Sequence, residues 1–323
     1  MIDQRTEGSK VSIIGAGAVG TSLAYAMLIK GVARHVVLQD INAQKVHAEA
    51  LDLMHGGQFM PTAKIEGTDN VEATADSDVI VITAGARQRP GQSRLDLAGA
   101  SVAMMRSIVP PLVELSPNAI FVVVANPVDV VTQAVLKISG LPPARVFGTG
   151  TVLDSSRLRQ LISQKFHVAT SNVHAYMCGE HGDSETPMWS MASISTVPIR
   201  EWELRSGPVT DELLDGIADR VINAAYEVIE GKGSTNYAIG LAASRIIQAV
   251  LRDERVVLSV SRLMTGWNGI SGVCMSVPTI VGARGAIRQI DMKPSDAELE
   301  SLRASAAQIR EALSNLEGMG DDA

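Results

Sequence analysis

Three short segments of this sequence carry residue types suited to proton transfer and anion binding. The first is Gly179-Glu180-His181-Gly182-Asp183. Of six histidines, only His181 sits in a glycine-flanked polar turn after an apolar run. An imidazole titrating near neutrality can give or take a proton. The second is Leu153-Asp154-Ser155-Ser156-Arg157. Asp154 and Arg157, three residues apart, share one face of a helix. A guanidinium grips a carboxylate through two parallel hydrogen bonds. Read locally, the same pair is a surface salt bridge, with Asp154 as a helix cap. The third runs from Gly85 to Arg94 and holds Pro90, Gly91, Arg87, Arg89 and Arg94. It follows the end of an apolar strand, where open α/β sheets keep their ligand crevices, and it has the composition of a lid.

A fourth segment, Gly15-Ala16-Gly17-Ala18-Val19-Gly20, fits the G-x-G-x-x-G pattern. Alone the string is weak. Here an apolar strand precedes it and a helical pattern follows, the context in which it cradles a dinucleotide pyrophosphate. Gly15 permits the tight turn, Gly17 lets the backbone approach the phosphates, and Gly20 lets helix and strand pack closely. Asp40 ends the next strand, about 20 residues beyond Gly20. An acid there accepts from a ribose 2′-hydroxyl and repels a 2′-phosphate, which favours NAD over NADP. The plainer alternative is a glycine turn and a surface aspartate.

The surrounding pattern predicts the elements that position these residues. Apolar runs at Lys10–Ile14, His35–Gln39, 79–83 and 119–125 read as buried parallel strands. Helical spacing covers 20–30, and 42–54 with Asn42 as N-cap. Strand and helix alternating at this spacing predict a doubly wound parallel sheet, an N-terminal Rossmann domain over 1–149. A mixed α/β catalytic domain is expected over 150–323. It would hold helices at 153–166, 210–231 and 294–316 (Ser295 as N-cap), a strand at 172–178, and antiparallel strands at 256–260 and 273–281. No repeat or low-complexity linker separates the halves.

Composition narrows the function. The 323 residues are 46% hydrophobic and 20% charged, with a net charge of −7. An acidic chain lacks the basic footprint of a nucleic-acid binder. The two cysteines, Cys178 and Cys274, are far apart and form no C-x-x-C motif, so neither zinc nor a redox pair is expected. Free thiols suit a reducing cytosol. The first ten residues are too polar for a signal peptide, and no apolar run is long enough to cross a membrane. A cytoplasmic location follows as an expectation.

In order along the chain stand Ala84-Gly85-Ala86-Arg87-Gln88-Arg89-Pro90-Gly91-Gln92-Ser93-Arg94-Leu95, Asn126-Pro127-Val128-Asp129, Leu153-Asp154-Ser155-Ser156-Arg157 and Gly179-Glu180-His181-Gly182-Asp183. From Val11 to about Leu316 the sequence resembles the lactate/malate dehydrogenase family. The resemblance implies an NAD-dependent L-2-hydroxyacid dehydrogenase. His181 matches its general acid/base, Asp154 the carboxylate paired with that imidazole, Arg157 the clamp on the substrate carboxylate, and Arg94 the lid arginine that polarises the substrate carbonyl. Gln88, Asn126, Asp129 and Thr235 match the remaining substrate contacts. The NAD site implied comprises Gly15, Gly17, Val19, Gly20, Asp40, Lys45, Gly85, Ala86, Ser107, Val124, Asn126 and Thr149. Ile239 would be an apolar wall behind the nicotinamide.

Within that family Gln88 bears on the substrate. Malate-specific members carry an arginine there to meet a second carboxylate. A neutral Gln88 leaves that charge unpaired in a closed pocket, at a cost of several kcal/mol, each ~1.4 kcal/mol being tenfold in rate. Pyruvate and L-lactate are therefore the expected pair. Arg159 and His174 match the positions at which many bacterial members bind fructose 1,6-bisphosphate across a subunit interface. Members that ignore this effector keep similar residues, so a purely structural interface site is the alternative. The resemblance implies a homotetramer. The short segment before the first strand and Gln92-Ser93 resemble bacterial members rather than the longer-armed vertebrate ones.

Three rivals stay open at this level. A malate dehydrogenase would differ in its rate with oxaloacetate. A non-catalytic NAD-binding protein would oxidise no NADH with any 2-oxo acid. An NAD-dependent glycosidase would need a metal site, for which no Cys/His cluster is evident.

Overall fold

The computed structural model describes residues 8–86, 94–204 and 207–318. Six short strands run parallel: β1 (Lys10–Ile14), β2 (His35–Gln39), β3 (Lys64–Thr68), β4 (Val79–Ile82), β5 (Ile120–Val123) and β6 (Val146–Gly148). Between them come α1 (Ala18–Lys30), α2 (Ala43–His55), α3 (Arg94–Leu115) and α4 (Val128–Ser139). In space the strands follow the order β3-β2-β1-β4-β5-β6, two mononucleotide-binding halves meeting at β1 and β4.

The continuous apolar character of β1, β4 and β5 has a simple cause: both of their faces are covered. Val11, Ile13, Val79, Val81, Ile120 and Val122 pack with Leu23 and Met27 of α1 and Val46 of α2. Ile14, Ile80, Ile82, Phe121 and Val123 pack on the opposite side with Met105 and Leu112 of α3 and Val131 and Val135 of α4. Each large side chain buried this fully contributes about 1.5–3 kcal/mol.

The second half continues the same sheet. After α5 (Val152–Phe166), α6 (Asp211–Lys232) and α7 (Tyr237–Leu251) come β7 (Val256–Trp267), β8 (Ile270–Gly282) and β9 (Gly285–Gln289), then α8 (Asp296–Gly318). β7 to β9 are antiparallel and join the parallel part through one pairing, Ser261 with Gly148. Leu158, Ile162 and Phe166 of α5 pack against Leu214, Ile217 and Val221 of α6. Val273, Met275 and Val277 of β8 pack against Leu302, Ala306 and Ile309 of α8. Among the described residues, no helix is long and apolar enough to cross a membrane.

The structure departs from the sequence reading in several places. The expected single strand 172–178 is two, because its ends have different partners. Val173–His174 pairs with Ser193–Ile194, and Met177–Cys178 pairs with Thr186–Pro187. β3 lacks an apolar signal because it is a largely unburied edge with a glycine inside it. α3 contains Pro110 and Pro111, which erase its local helix signal. The foreseen caps are present. Asn42 Oδ1 accepts from Lys45 N at 3.0 Å. Ser295 and Glu298 close a reciprocal pair at 3.3 and 2.8 Å, a capping box.

One close approach ties the halves together. α7 crosses α1 at Gly240, where a Cβ would stand 2.9 Å from the Ser22 carbonyl carbon and 3.0 Å from Leu23 N. The contact is backbone, so it cannot yield as a flexible side chain would. Gly240→Val is expected to lower the unfolding free energy by about 1–3 kcal/mol through overpacking. A denaturant midpoint equal to the wild type's would refute this crossing.

Candidate active site

β1 ends at Ile14, and the chain turns at Gly15 with a φ of 104°, a conformation suited to glycine. A Cβ at Gly15 would lie 2.8 Å from Ala84 N, and one at Gly20 only 2.0 Å from Gly15 O. The fold itself demands both glycines. Gly17 differs. Its φ of −78° is ordinary, and a Cβ there would meet nothing within 4 Å. No described residue requires glycine at 17, and the open space leaves its backbone accessible to a ligand, as a pyrophosphate requires. Gly17 is also the N-cap of α1, with no side-chain cap among the described residues and no acid in the first turn. The helix therefore keeps free N–H groups and a partial positive charge for an anion.

Asp40 is tied to this turn. Its Oδ2 accepts from Ala16 N at 2.7 Å and its Oδ1 from Asn42 N at 3.0 Å. Each oxygen retains a further acceptor position. Val19 packs at the edge of the first core cluster, and Lys45 is half-buried in the first turn of α2. Gly85 and Ala86 follow β4, Val124 and Asn126 follow β5, and Thr149 follows β6. These positions share the carboxyl edge of the sheet, the place of ligand crevices in such folds. Thr149 N donates to Val123 O at 2.8 Å. The Asn126 side chain is exposed while its carbonyl accepts from Ser101 Oγ. Ser107 is exposed, and its hydroxyl donates to Met104 O within α3. Ile239 packs against the first core cluster from α7, and Thr235 lies half-buried just before that helix. Gln88 lies outside the described residues. Arg94 opens α3, but its side chain also lies outside them.

α5 starts three residues after Thr149 and carries Asp154 and Arg157 inward. Asp154 is only 2% exposed. Its Oδ1 accepts from Arg157 Nη1 at 2.6 Å, and its Oδ2 lies 2.8 Å from His181 Nδ1. Burial works against both charges. The carboxylate's pull outweighs burial at the imidazole and pushes the His181 pKa up to about 9. The imidazolium and the guanidinium in turn outweigh burial at Asp154 and hold it below the usual carboxylate range. The cluster thus holds a protonated ring at neutral pH. Arg157 also lines a cleft of about 440 Å³ between α5 and α6.

A third carboxyl fixes the histidine turn. Asp129, 2% exposed in the first turn of α4, accepts from the His181 backbone N–H at 2.7 Å and from Ser261 Oγ at 2.5 Å. Burial raises its pKa to about 6, against the pull of those two bonds. The residue expected among the substrate contacts thus has both oxygens on protein groups. Ser261 lay beyond the sequence reading, although Ser259 and Ser261 alternate on one face of an otherwise apolar strand. Glu185, also unforeseen, is 6% exposed. Its carboxylate, Asp154 and His181 offer polar atoms within 4.8 Å of one another. Such a set could hold a metal ion by spacing, but Asp154 already has two cations on it.

Arg159 and His174 lie on the outer side of the same helix and on the strand beyond it. Arg159 Nε donates to Ala175 O at 2.9 Å, and its guanidinium lies 4.7 Å over the Tyr176 ring. His174 is exposed.

Comparison with known proteins identifies the family. Residues 9–148 match the lactate/malate dehydrogenase NAD binding domain, and residues 151–318 match the family's alpha/beta C-terminal domain. An L-lactate dehydrogenase of Bifidobacterium animalis subsp. lactis is 50% identical over 313 residues, 96% of this chain and 98% of that protein. One of Clostridium perfringens is 43% identical over 318 residues, 98% of this chain and 99% of that protein. The crystal structure of a minor L-lactate dehydrogenase from Enterococcus mundtii superposes with a TM-score of 0.92 at 39% identity, covering 95% of this chain and 98% of the other. With both family domains matched and likeness of this extent, this chain belongs to the lactate/malate dehydrogenase family.

Proposed function

We infer that this chain catalyses the reversible reduction of pyruvate to L-lactate with NADH. The observation that carries the reading is the buried Asp154 carboxylate holding the half-buried His181 and Arg157 beside the carboxyl edge of the sheet. The open approach at Gly17, the uncapped start of α1 and the acid at Asp40 fit NAD. When bound, the dinucleotide supplies or accepts the hydride. The division of labour follows the expected boundary, 1–149 for the cofactor and 150–323 for the substrate.

The residues then have distinct tasks. Arg157, anchored at one nitrogen by Asp154, keeps further N–H donors for the substrate carboxylate. His181 presents the ring nitrogen opposite Asp154 and gives a proton to the oxygen that becomes an alkoxide. Asp154 fixes which nitrogen of the ring faces the substrate and keeps it charged before the reaction. Asp129 holds the backbone of His181 against α4, so the donor stays registered to the cofactor half. Arg94 polarises the substrate carbonyl, and lid closure over it excludes water and strengthens that charge. Gln88, neutral where malate-specific members carry an arginine, selects a methyl over a second carboxylate, and Thr235 limits the room for a larger group. Arg159 and His174 form a fructose 1,6-bisphosphate site across an interface of a homotetramer, where the two-fold axis doubles the cations on one anion.

Reduction needs the protonated imidazole. Because Asp154 raises the His181 pKa, activity is present below that value and lost as pH rises through it. For pyruvate, kcat/KM is expected to stay level through neutrality and fall with a midpoint near 9. In Asp154→Asn, burial of the ring is opposed only by the weaker pulls of Glu185 and Asp129, so the midpoint should drop well below 9, toward the ordinary value near 6.5, with reduction at neutral pH falling about 10²–10⁴-fold. A midpoint unmoved by that change would remove Asp154 from the mechanism. Substrate choice is checked by steady-state rates with pyruvate and oxaloacetate. The wild type should prefer pyruvate, and Gln88→Arg should shift the ratio toward oxaloacetate by tenfold or more, the value of about 1.4 kcal/mol of new pairing. An unchanged ratio would place a different residue at the substrate's third carbon. Adding fructose 1,6-bisphosphate should lower the pyruvate KM of the wild type but not of Arg159→Gln. Equal KM values with and without it would leave Arg159 a structural interface residue.

A further inference from the structure

Glu185 is a buried carboxyl for which the mechanism has no use. It is 6% exposed, in the turn after His181, and its Oε2 finds no hydrogen-bond partner among the described residues. The carboxyl reaches the same place as the Asp154 carboxylate and the His181 ring, within 4.8 Å of both.

The charges around it can be counted. Asp154 already accepts from Arg157 and pairs with His181, so both nearby cations are spent on one carboxylate. Asp129 is committed to Ser261 and the His181 backbone, and Glu180 to Ser184. Cys178 lies on the strand that pairs with Thr186, and burial pushes its thiol up, so it carries no charge. Glu298 is turned to Ser190 and Ser295. Among the described residues the cations that reach Glu185 are the same two, and the pull of His181 and of Arg157 on it is smaller than burial and the charge of Asp154. Two ionised carboxylates cannot share a dry site cheaply, so one keeps a proton. Burial, then the charge of Asp154, push the Glu185 pKa up to about 9, and a hydrogen bond with Asp154 favours the protonated form.

We propose that Glu185 stands as a neutral carboxylic acid that shares its proton with the Asp154 carboxylate, a positioning residue that leaves His181, Arg157 and Asp154 with one net positive charge to meet a monoanionic 2-oxo acid. The assignment of the substrate's charge rests on the function inferred above. The chemistry is coherent through turnover. Before reaction, His181 and Arg157 supply two positive charges and Asp154 one negative, and the substrate carboxylate brings the sum to zero. Once His181 has given up its proton, Asp154 faces a neutral ring, and the Glu185 proton limits the cost of that buried charge. An ionised Glu185 would instead leave the loaded cluster negative before the reaction began.

The test uses the full chain with NADH. Infrared spectra at pH 7 should contain the C=O stretch of a protonated carboxyl, distinct from the carboxylate bands, and E185Q should lose it. The midpoint of pyruvate reduction should remain alkaline in E185Q, because one neutral donor replaces another below the pH range in which Glu185 itself ionises. E185L has no donor, so Asp154 becomes more basic. Its midpoint should lie above that of E185Q, and kcat/KM should fall about tenfold, the worth of one charge-assisted hydrogen bond. Absence of the band at pH 7 overturns the proposal, and so does a band that E185Q retains. The infrared band is independent of turnover. If the chain preferred another 2-oxo acid, the inferred function would fail while the protonated Glu185 stood.

Discussion

The site depends on one buried carboxylate. Asp154 is almost fully withdrawn from water, where an unpaired charge is costly. Two contacts below 3 Å make it tolerable, the guanidinium of Arg157 on one oxygen and the imidazole of His181 on the other. At 4 Å and an effective dielectric of 20, a pair of unit charges gains about 4 kcal/mol. These pairs are closer, and the balance tips toward ionisation at both ends. The rise of His181 from its ordinary value to about 9 corresponds to roughly 3 kcal/mol favouring the protonated ring. The charged imidazole and the placed guanidinium are therefore properties of a single ion triad. Neither cation is oriented independently of the other, since both are fixed on the same small group.

That triad would be idle if it could drift relative to the dinucleotide edge, and the fold prevents this in three ways. The sheet is continuous, with Ser261 of β7 paired to Gly148 of β6. Gly148 has no room for a side chain, since a Cβ would lie 2.5 Å from Thr132 Oγ1 and 2.8 Å from Val128 Cγ2 on α4. Asp129, on that same helix, bonds both Ser261 and the backbone of His181. One turn of α4, one strand of the second half and the catalytic turn thus close a ring of contacts. Gly240 adds a backbone-to-backbone crossing of α7 on α1, whose first turn carries the glycine loop. The placement of the acid relative to the cofactor edge is a tertiary property, built from glycines that permit approach and a carboxylate that locks it.

Much of this was legible in the sequence because it is local. The glycine pattern, the i,i+3 spacing of Asp154 and Arg157, the polar turn at His181, and the Asn42 and Ser295 caps are all set within a few residues. Four of the six parallel strands, β1, β2, β4 and β5, were legible because burial on both faces leaves an apolar run, whereas the three-residue β6 is too short to leave one. What escaped is long-range. Asp129 lies 132 positions from Ser261 and 52 from His181, so its bonds leave no mark on its own neighbourhood. Glu185 sits in a polar segment where acids are ordinarily solvated, and only the packed fold reveals its burial. β3 escaped because an exposed edge strand has no need of apolar residues. α3 escaped because Pro110 and Pro111 break its local pattern while Met105, Val109 and Leu112 still anchor it to the sheet.

The same energetics bear on whether such a site could belong to a protein that merely binds a dinucleotide. A binder would need the glycine loop, the free start of α1 and Asp40, all in the first half of the chain. It would have no need to bury the carboxyls of Asp154 and Glu185 and gather an imidazole and a guanidinium on them on the far side of the crevice. Replacing a buried ion cluster with apolar residues of similar volume is often neutral or stabilising by about 1–4 kcal/mol. A polar cluster this dense is therefore maintained against a stability gradient unless the charges do something else. Here they do two things that apolar packing cannot. They keep a proton on a ring at pH values where a free imidazole has lost it, and they fix a guanidinium on the same carboxylate as that ring. Those are the two requirements for delivering a proton to a keto acid held by its carboxylate. Both lie in the half of the chain that a dinucleotide alone would leave unconstrained.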